Sequence, residues 1–105
     1  MNNSKPDDFR YRALFTSRVL RDIWKADGEE TEDFAFDAYR RFRMKDWGDL
    51  SEEDKRLNDE ALTTRSGTVL AVYPAPNGQK FYIELEFVNK PGKWDVATIM
   101  YADER

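Results

Sequence analysis

The sequence predicts an α+β fold, with two or three N-terminal helices packed on a three- to four-stranded antiparallel sheet. Up to residue 64 the apolar residues recur at helical spacing, and after Ser66-Gly67 they alternate with a period of two. The chain has 105 residues, 40% of them hydrophobic, which is enough for one buried core and too few for two. We therefore expect a single domain at residues 9–105, after a disordered segment at residues 1–8.

Two helices are predicted before residue 46. The first is capped by Thr16 or Ser17, ends near Gly28 and has an apolar stripe made of Val19, Leu20, Ile23 and Trp24. The second is expected to begin at Thr31, where a capping hydroxyl precedes two carboxylates that favour a helix N-terminus. Its buried stripe consists of Phe34, Ala35, Ala38, Tyr39 and Phe42.

A third, acidic helix follows Ser51, which forms a capping-box pattern with Asp54, and runs to about Leu62. Residues 46–64 hold two basic and seven acidic residues, a net charge of −5, whereas the whole chain carries −4. The apolar face of this helix is thin, since it contains only Leu57, Ala61 and Leu62. One side of the helix should therefore be exposed and negative.

Strands are predicted mainly in the second half of the chain. Residues 80–87 alternate apolar and polar side chains and form the clearest strand, while residues 68–73 are nearly all apolar, as in a central strand. Residues 94–101 are expected to form the last strand, and residues 11–15 a short edge strand. Helices on one face of this sheet would leave the other face partly wet.

The composition excludes much enzyme chemistry. The chain has no cysteine and no histidine, so it lacks a thiolate nucleophile, the commonest general base and the commonest metal ligand. It also lacks a glycine-rich phosphate loop and a serine nucleophile elbow. We expect a non-enzymatic protein with no cofactor and no metal. The polar N-terminus shows no signal peptide or membrane anchor, which predicts a cytoplasmic location.

The acidic helix is the leading candidate for binding a partner protein. Helix capping explains part of its charge, and the remaining carboxylates would meet basic residues of a partner. Two aromatic residues would add apolar anchors, because aromatic side chains are enriched in binding hot spots. The predicted partner-binding residues are Glu52, Glu53, Asp59, Glu60, Tyr82 and Trp94.

Two alternatives remain open at this point. A small nucleic-acid-binding or regulatory module would use the basic cluster near Trp47, although charge matching at a helix C-terminus also explains that cluster. The cluster consists of Arg40, Arg41, Arg43 and Lys45. A metal-dependent nuclease would need Glu84 and Glu86, which share a strand face, together with Asp95. An unpaired edge strand is also compatible with a homodimer.

Several short runs carry a family resemblance. They are Asp46-Trp47-Gly48-Asp49, Glu52-Glu53-Asp54-Lys55, Asn58-Asp59, Ala71-Val72-Tyr73, Gly78-Gln79-Lys80-Phe81 and Thr98-Ile99-Met100. In order and spacing they resemble a family of small proteins carried on bacterial plasmids, phages and conjugative elements, sometimes labelled as restriction-modification related. Relatives tend to have a histidine at Phe42 and a glycine at Lys45, and their loop corresponding to residues 88–94 is shorter. The resemblance implies a mobile-element accessory role and transfers no catalytic residue.

These observations lead to one hypothesis. The chain is expected to be a protein-binding accessory factor of a mobile genetic element that inhibits a host defence nuclease, as an anti-CRISPR or anti-restriction protein. Its partner would be a host protein, neither a membrane nor, in the first instance, a nucleic acid. The chain as a whole lacks the basic face of a general nucleic-acid binder.

Overall fold

A computed structural model describes residues 10–105, so the disorder expected at residues 1–8 lies outside the described range. Three helices occupy the first part of the chain: α1 (Ser17–Ile23), α2 (Glu29–Arg43) and α3 (Glu52–Thr64). The strands are β1 (Arg12–Phe15), β2 (Thr68–Pro74), β3 (Lys80–Glu86) and β4 (Val96–Tyr101). No helix within residues 10–105 combines the length and the apolar character that crossing a bilayer requires.

The four strands form one sheet in the order β1-β4-β3-β2. Strands β2, β3 and β4 are antiparallel to their neighbours, as predicted, but β1 pairs with β4 in parallel, so the sheet is mixed. The register of β1 is fixed by Arg12 N–H, which donates to Asp95 O at 2.7 Å, and by Thr16 N–H, which donates to Ile99 O at 3.0 Å. The antiparallel prediction was wrong for β1 because three helices and two strands separate it from β4, which leaves room for a parallel return.

Helices α1 and α2 cover one face of the sheet, and the core lies between these helices and the sheet. Its largest fully buried side chains are Tyr73, Phe42, Phe81, Ile83, Leu85, Ile99, Val19 and Val69. On the other face, cross-strand register places Tyr82 between Val72 and Met100, and Glu84 between Leu70 and Thr98. The α+β class and the numbers of helices and strands are therefore confirmed.

Two of the three predicted helix starts are confirmed. The hydroxyl of Thr16 accepts a hydrogen bond from Val19 N–H at 3.3 Å, and that of Ser51 accepts one from Asp54 N–H at 3.1 Å. The prediction that α2 begins at Thr31 was wrong, since the helix begins at Glu29 after an N-cap at Gly28. A Cβ atom on Gly28 would lie 2.2 Å from a carbonyl oxygen of α1, so the close turn between the two helices requires glycine here.

Helix α1 is shorter than its apolar stripe. It ends at Ile23, and Trp24, which was predicted to belong to the buried stripe, is 77% exposed. Phe36, which lies off the stripe of α2, is half exposed and contacts Phe15 at a ring-centre distance of 5.8 Å. The spacing of apolar residues predicts that both Ile23 and Trp24 are buried. It cannot show that the helix ends at Ile23, which leaves the indole of Trp24 exposed.

A hydrogen bond between Tyr101 and Asp22 joins β4 to α1 and should make stability depend on pH. Tyr101 Oη donates to Asp22 Oδ2 at 2.5 Å. This hydrogen bond is the main cause that lowers the pKa of Asp22, and a hydrogen bond from Lys25 is the second. A carboxyl whose pKa falls on folding stabilises the protein above its unfolded pKa of about 4 and loses that effect as the pH drops. We expect Tyr101→Phe to cost about 1.5 to 3 kcal/mol at neutral pH.

The cost of Tyr101→Phe should shrink on acidification, because protonated Asp22 no longer favours the hydrogen bond as strongly. Urea denaturation of both proteins at neutral pH and near pH 3 measures the difference. Asp22→Asn is the matched control, and it should itself flatten the acid dependence. Equal costs of Tyr101→Phe at both pH values would contradict the assignment.

Candidate interaction surface on helix α3

Helix α3 is fixed to the outer edge of β2 by one buried amide. Asn58, which is 6% exposed, donates from Nδ2 to Leu70 O at 2.9 Å and accepts from Leu70 N–H at Oδ1 at 3.2 Å. The side-chain amide therefore satisfies a donor and an acceptor that a neighbouring strand would otherwise pair. This attachment fixes the position of α3 relative to the sheet.

The segment 46–49 closes the same edge one step further along β2. Val72 N–H donates to Trp47 O at 3.1 Å, and Asp49 N–H donates to Val72 O at 2.8 Å. The outward backbone groups of β2 are therefore occupied at both Leu70 and Val72, and an incoming strand cannot use them. An unpaired edge strand is compatible with a homodimer, but the β2 edge is occupied at these two residues.

Trp47 packs between α2 and α3. It is 2% exposed, contacts the ring of Phe42 edge-on at 5.4 Å, and donates from Nε1 to Asp59 Oδ1 at 2.8 Å. Sequence reasoning placed Asp59 on the outward acidic surface with a binding role. Asp59 is exposed in the structure, and its carboxylate also accepts the hydrogen bond from the buried indole, a contact that the other predicted acidic residues do not make.

Asp46 connects the end of α2 to β2. Its carboxylate accepts from Arg41 Nε at 2.8 Å and from Gly48 N–H at 3.1 Å, and its carbonyl accepts from Tyr73 Oη at 2.7 Å. The hydrogen bond from Arg41 holds the pKa of Asp46 below its usual range. Every residue of the Asp46-Trp47-Gly48-Asp49 run thus contributes to the junction of α2, α3 and β2.

The outward side of α3 carries the remaining predicted carboxylates. The side chains of Glu52, Glu53 and Glu60 are 93%, 65% and 61% exposed, and we call these three residues the α3 outer face. Arg56 lies 2.8 Å from Glu53 and 3.8 Å from Glu60 within the same helix. Such exposed pairs contribute little energy and exchange easily for a partner's cations, so the face remains available for binding.

The four cations of the predicted basic cluster have different neighbours. Arg40 pairs with Asp37 at 2.7 Å, Arg41 pairs with Asp46, and the guanidinium of Arg43 lies 5.9 Å from the ring centre of Tyr11. Lys45 follows the end of α2 in a left-handed backbone conformation, with φ of 63°. Helix geometry distributes these cations over different neighbours, although they are adjacent in sequence.

The two predicted aromatic anchors lie on separate elements. Tyr82 is half-buried on the sheet face opposite the helices, whereas Trp94 is 50% exposed in the loop before β4. Trp94 shares a pocket with Arg65, the residue that caps the C-terminal end of α3. The structure therefore places Trp94 beside one end of α3 and Tyr82 on a different surface.

The three carboxylates of the metal-dependent alternative do not converge. Glu84 accepts from Arg105 at 3.3 Å, whereas Asp95 is buried, pairs with Arg65 and accepts from Val88 N–H at 3.0 Å. Across residues 10–105 there is no group of three or more acidic side chains arranged to hold a metal ion. The grouping of Glu84, Glu86 and Asp95 was therefore wrong, because Asp95 is held at the start of β4 by its own partners.

The fold and this surface define the chain as a small α+β protein that presents an acidic helix at the edge of a mixed four-stranded sheet. No protein-family model matches the chain, and no curated protein or solved structure is significantly similar to it. Sequence reasoning missed the roles of Asn58, Gly48 and Arg65. The adjacent Asn58-Asp59 pair in the resemblance was the only available signal, and it did not reveal what the amide contacts.

Proposed function

We propose that this protein is a non-enzymatic binding factor of a mobile genetic element, which inhibits a host defence nuclease by occupying the nuclease's basic nucleic-acid channel. The α3 outer face would supply the contact. The observation that carries the proposal is the exposure of Glu52, Glu53 and Glu60 on a helix whose opposite side is fixed to the sheet.

Rigid attachment favours binding because the charges need no ordering when the partner arrives. Asn58 and Asp59 hold α3 against β2 and Trp47, so the outer carboxylates are presented on a preorganised scaffold. Glu53 and Glu60 lie seven residues apart, which is about 10.5 Å along a helix. This span equals about three base-pair steps of 3.4 Å along the axis of a DNA duplex. Once a partner's cations displace Lys55 and Arg56 from these carboxylates, the face offers negative charge over that axial distance.

The mobile-element context is supported by the family resemblance. Its Asp46-Trp47-Gly48-Asp49 run forms the junction of α2, α3 and β2. The carboxylate of Asp46, the buried indole of Trp47 and the backbone next to β2 all make contacts there. A run with these contacts is suited to preserving a scaffold.

Charge removal on the α3 outer face tests the proposal. The variant Glu52→Gln, Glu53→Gln, Glu60→Gln should weaken binding to the captured host nuclease at least about tenfold, because charge complementarity would be lost while Asp59 is kept. The nuclease is first isolated by affinity purification from host extract and identified by mass spectrometry. The purified pair is then measured by titration calorimetry, and inhibition is measured by plasmid cleavage.

The matched control removes three other exposed charges. Asp27, Asp33 and Glu86 are all exposed and lie outside α3. Their Asn, Asn and Gln variant has the same net charge as the test variant and should bind within about twofold of the native protein. If the two triple variants lose affinity equally, or the test variant loses none, the α3 outer face is not the contact.

A further inference from the structure

A pocket of about 270 Å³ lies where the chain enters β4, at the opposite end of α3 from Ser51. We call it the β4-entry pocket. It is lined by Arg10, Arg65, Gly92, Lys93, Trp94 and Asp95. These residues come from three separate parts of the sequence, so the sequence alone did not indicate the pocket.

Arg65 is held in the pocket by contacts on several sides. Its backbone adopts the left-handed conformation at the C-cap of α3, with φ of 53°, and its carbonyl accepts from Asn89 Nδ2 at 3.0 Å. The guanidinium pairs with Asp95 and lies 5.3 Å from the ring centre of Phe87. The side chain is nevertheless 46% exposed. A guanidinium has five N–H donors, so donors remain for a ligand after the pairing with Asp95.

Asp95 is the buried carboxylate of this arrangement. It is 4% exposed, and its second oxygen accepts from Val88 N–H at 3.0 Å. One carboxylate therefore orients Arg65 and also fixes the start of the loop that carries Lys93 and Trp94. Guanidinium groups oriented in this way are suited to phosphate, whose oxygens match their paired donors.

The charge of the pocket favours an anion. Three cationic side chains and one carboxylate line it, and that carboxylate pairs with Arg65. Within residues 10–105 no acidic side chain lies within ion-pair distance of Lys93. Trp94, half exposed beside these cations, adds a flat apolar surface. Cations next to an exposed aromatic ring are the combination that binds a phosphate together with a base.

We propose that the β4-entry pocket binds one nucleotide, with the phosphate held by Arg65 and Lys93 and the base stacked on Trp94. Its volume of about 270 Å³ lies just below the roughly 300–1,000 Å³ typical of small-molecule pockets, so it has room for one nucleotide unit at most. The unit belongs either to a free mononucleotide or to a single-stranded nucleic acid, since both present the same phosphate and base. This site is separate from the α3 outer face, and neither proposal depends on the other.

Tryptophan fluorescence measures this binding directly. The Trp24→Phe background removes the signal of the other strongly exposed indole, while Trp47 is buried and should report no contact. The probes are AMP, inorganic phosphate and a short oligothymidylate. AMP and the oligonucleotide should quench Trp94, and inorganic phosphate should compete without quenching. If AMP alone binds, the ligand is a free nucleotide, and tighter binding of the oligonucleotide identifies a single strand.

Three variants locate the site. Trp94→Leu should weaken oligonucleotide binding at least about fivefold, because base stacking is lost. Fluorescence anisotropy of a labelled oligonucleotide measures this affinity. Lys93→Gln should weaken binding and reduce the slope of log affinity against log salt by about one. Lys80→Gln, an exposed lysine at the opposite end of β3, is the charge control and should change affinity less than about twofold.

Three results would overturn all or part of the proposal. The first is absence of binding by both AMP and the oligonucleotide at low salt. The second is an equal loss in Lys80→Gln and Lys93→Gln, which would show diffuse attraction. An unchanged affinity in Trp94→Leu would also refute base stacking, and the pocket would then be an anion site only. The exposed positions of Lys93 and Trp94 make these variants compatible with the native fold, which a thermal melt confirms.

Discussion

Gly48→Ala is expected to lower the free energy of unfolding by more than about 3 kcal/mol, or to prevent folding. Gly48 has φ of +83°, a conformation that strains any residue with a Cβ atom. The added Cβ would also lie 1.9 Å from Val72 O and 2.9 Å from Tyr73 Cδ1. Because Val72 O already accepts from Asp49 N–H, the clash can be relieved only by moving the segment away from β2.

Gly67→Ala is the matched control for this prediction. Gly67 has a similar φ of +79°, but no atom lies within 4 Å of the Cβ position. Its substitution should therefore cost only the conformational strain, about 1 to 2 kcal/mol. Urea denaturation followed by tryptophan fluorescence gives both values. Equal losses would show that backbone strain, and not the approach to β2, explains the requirement for glycine at position 48.

Asn58→Leu is expected to cost about 2 to 5 kcal/mol, because two backbone groups would lose their partners. Leucine has a similar volume, so the variant removes the hydrogen bonds to Leu70 with little change in packing. The Leu70 N–H and C=O would then be unpaired beneath α3. Removing this attachment should also expose the edge of β2, and size-exclusion chromatography should detect the resulting self-association.

Asn58→Asp separates the two hydrogen bonds. A carboxylate still accepts from Leu70 N–H, but its second oxygen brings a buried charge against Leu70 O, so at neutral pH Asn58→Asp should cost at least as much as Asn58→Leu. Asn89→Gly removes an exposed amide that donates to one carbonyl, that of Arg65, and keeps the positive φ of 54° without strain, so it should cost only about 0.5 to 1.5 kcal/mol. If Asn58→Leu proves no worse than Asn89→Gly, the buried amide does not hold α3 to the sheet.

Local sequence signals located the elements well where the stabilising contact lies within a few residues. The hydroxyls of Thr16 and Ser51 cap helices through bonds to backbone groups three residues away, so these starts were predictable. The start of α2 was not, because it depends on how closely Gly28 approaches α1. Thr31 is a residue type that often caps helices, but the helix begins two residues earlier, at Glu29.

The candidate surface shows the same division. The exposure of Glu52, Glu53 and Glu60 follows from the thin apolar face of α3, which the sequence displays directly. The contact of Asp59 with Trp47 spans twelve residues and does not follow from helix periodicity. The pairing of Arg65 with Asp95 spans thirty residues and creates a pocket from segments that show no pattern in common.

By itself, the sequence determined the α+β class, the helix and strand segments, and the concentration of negative charge between residues 46 and 64. These properties depend on periodicity, on composition and on caps formed within one turn. The tertiary structure alone decided the parallel pairing of β1 with β4, the closing of the β2 edge by Asn58, and the β4-entry pocket. Each of these joins groups far apart in the chain, and their contacts are decided by how the helices and the sheet pack together.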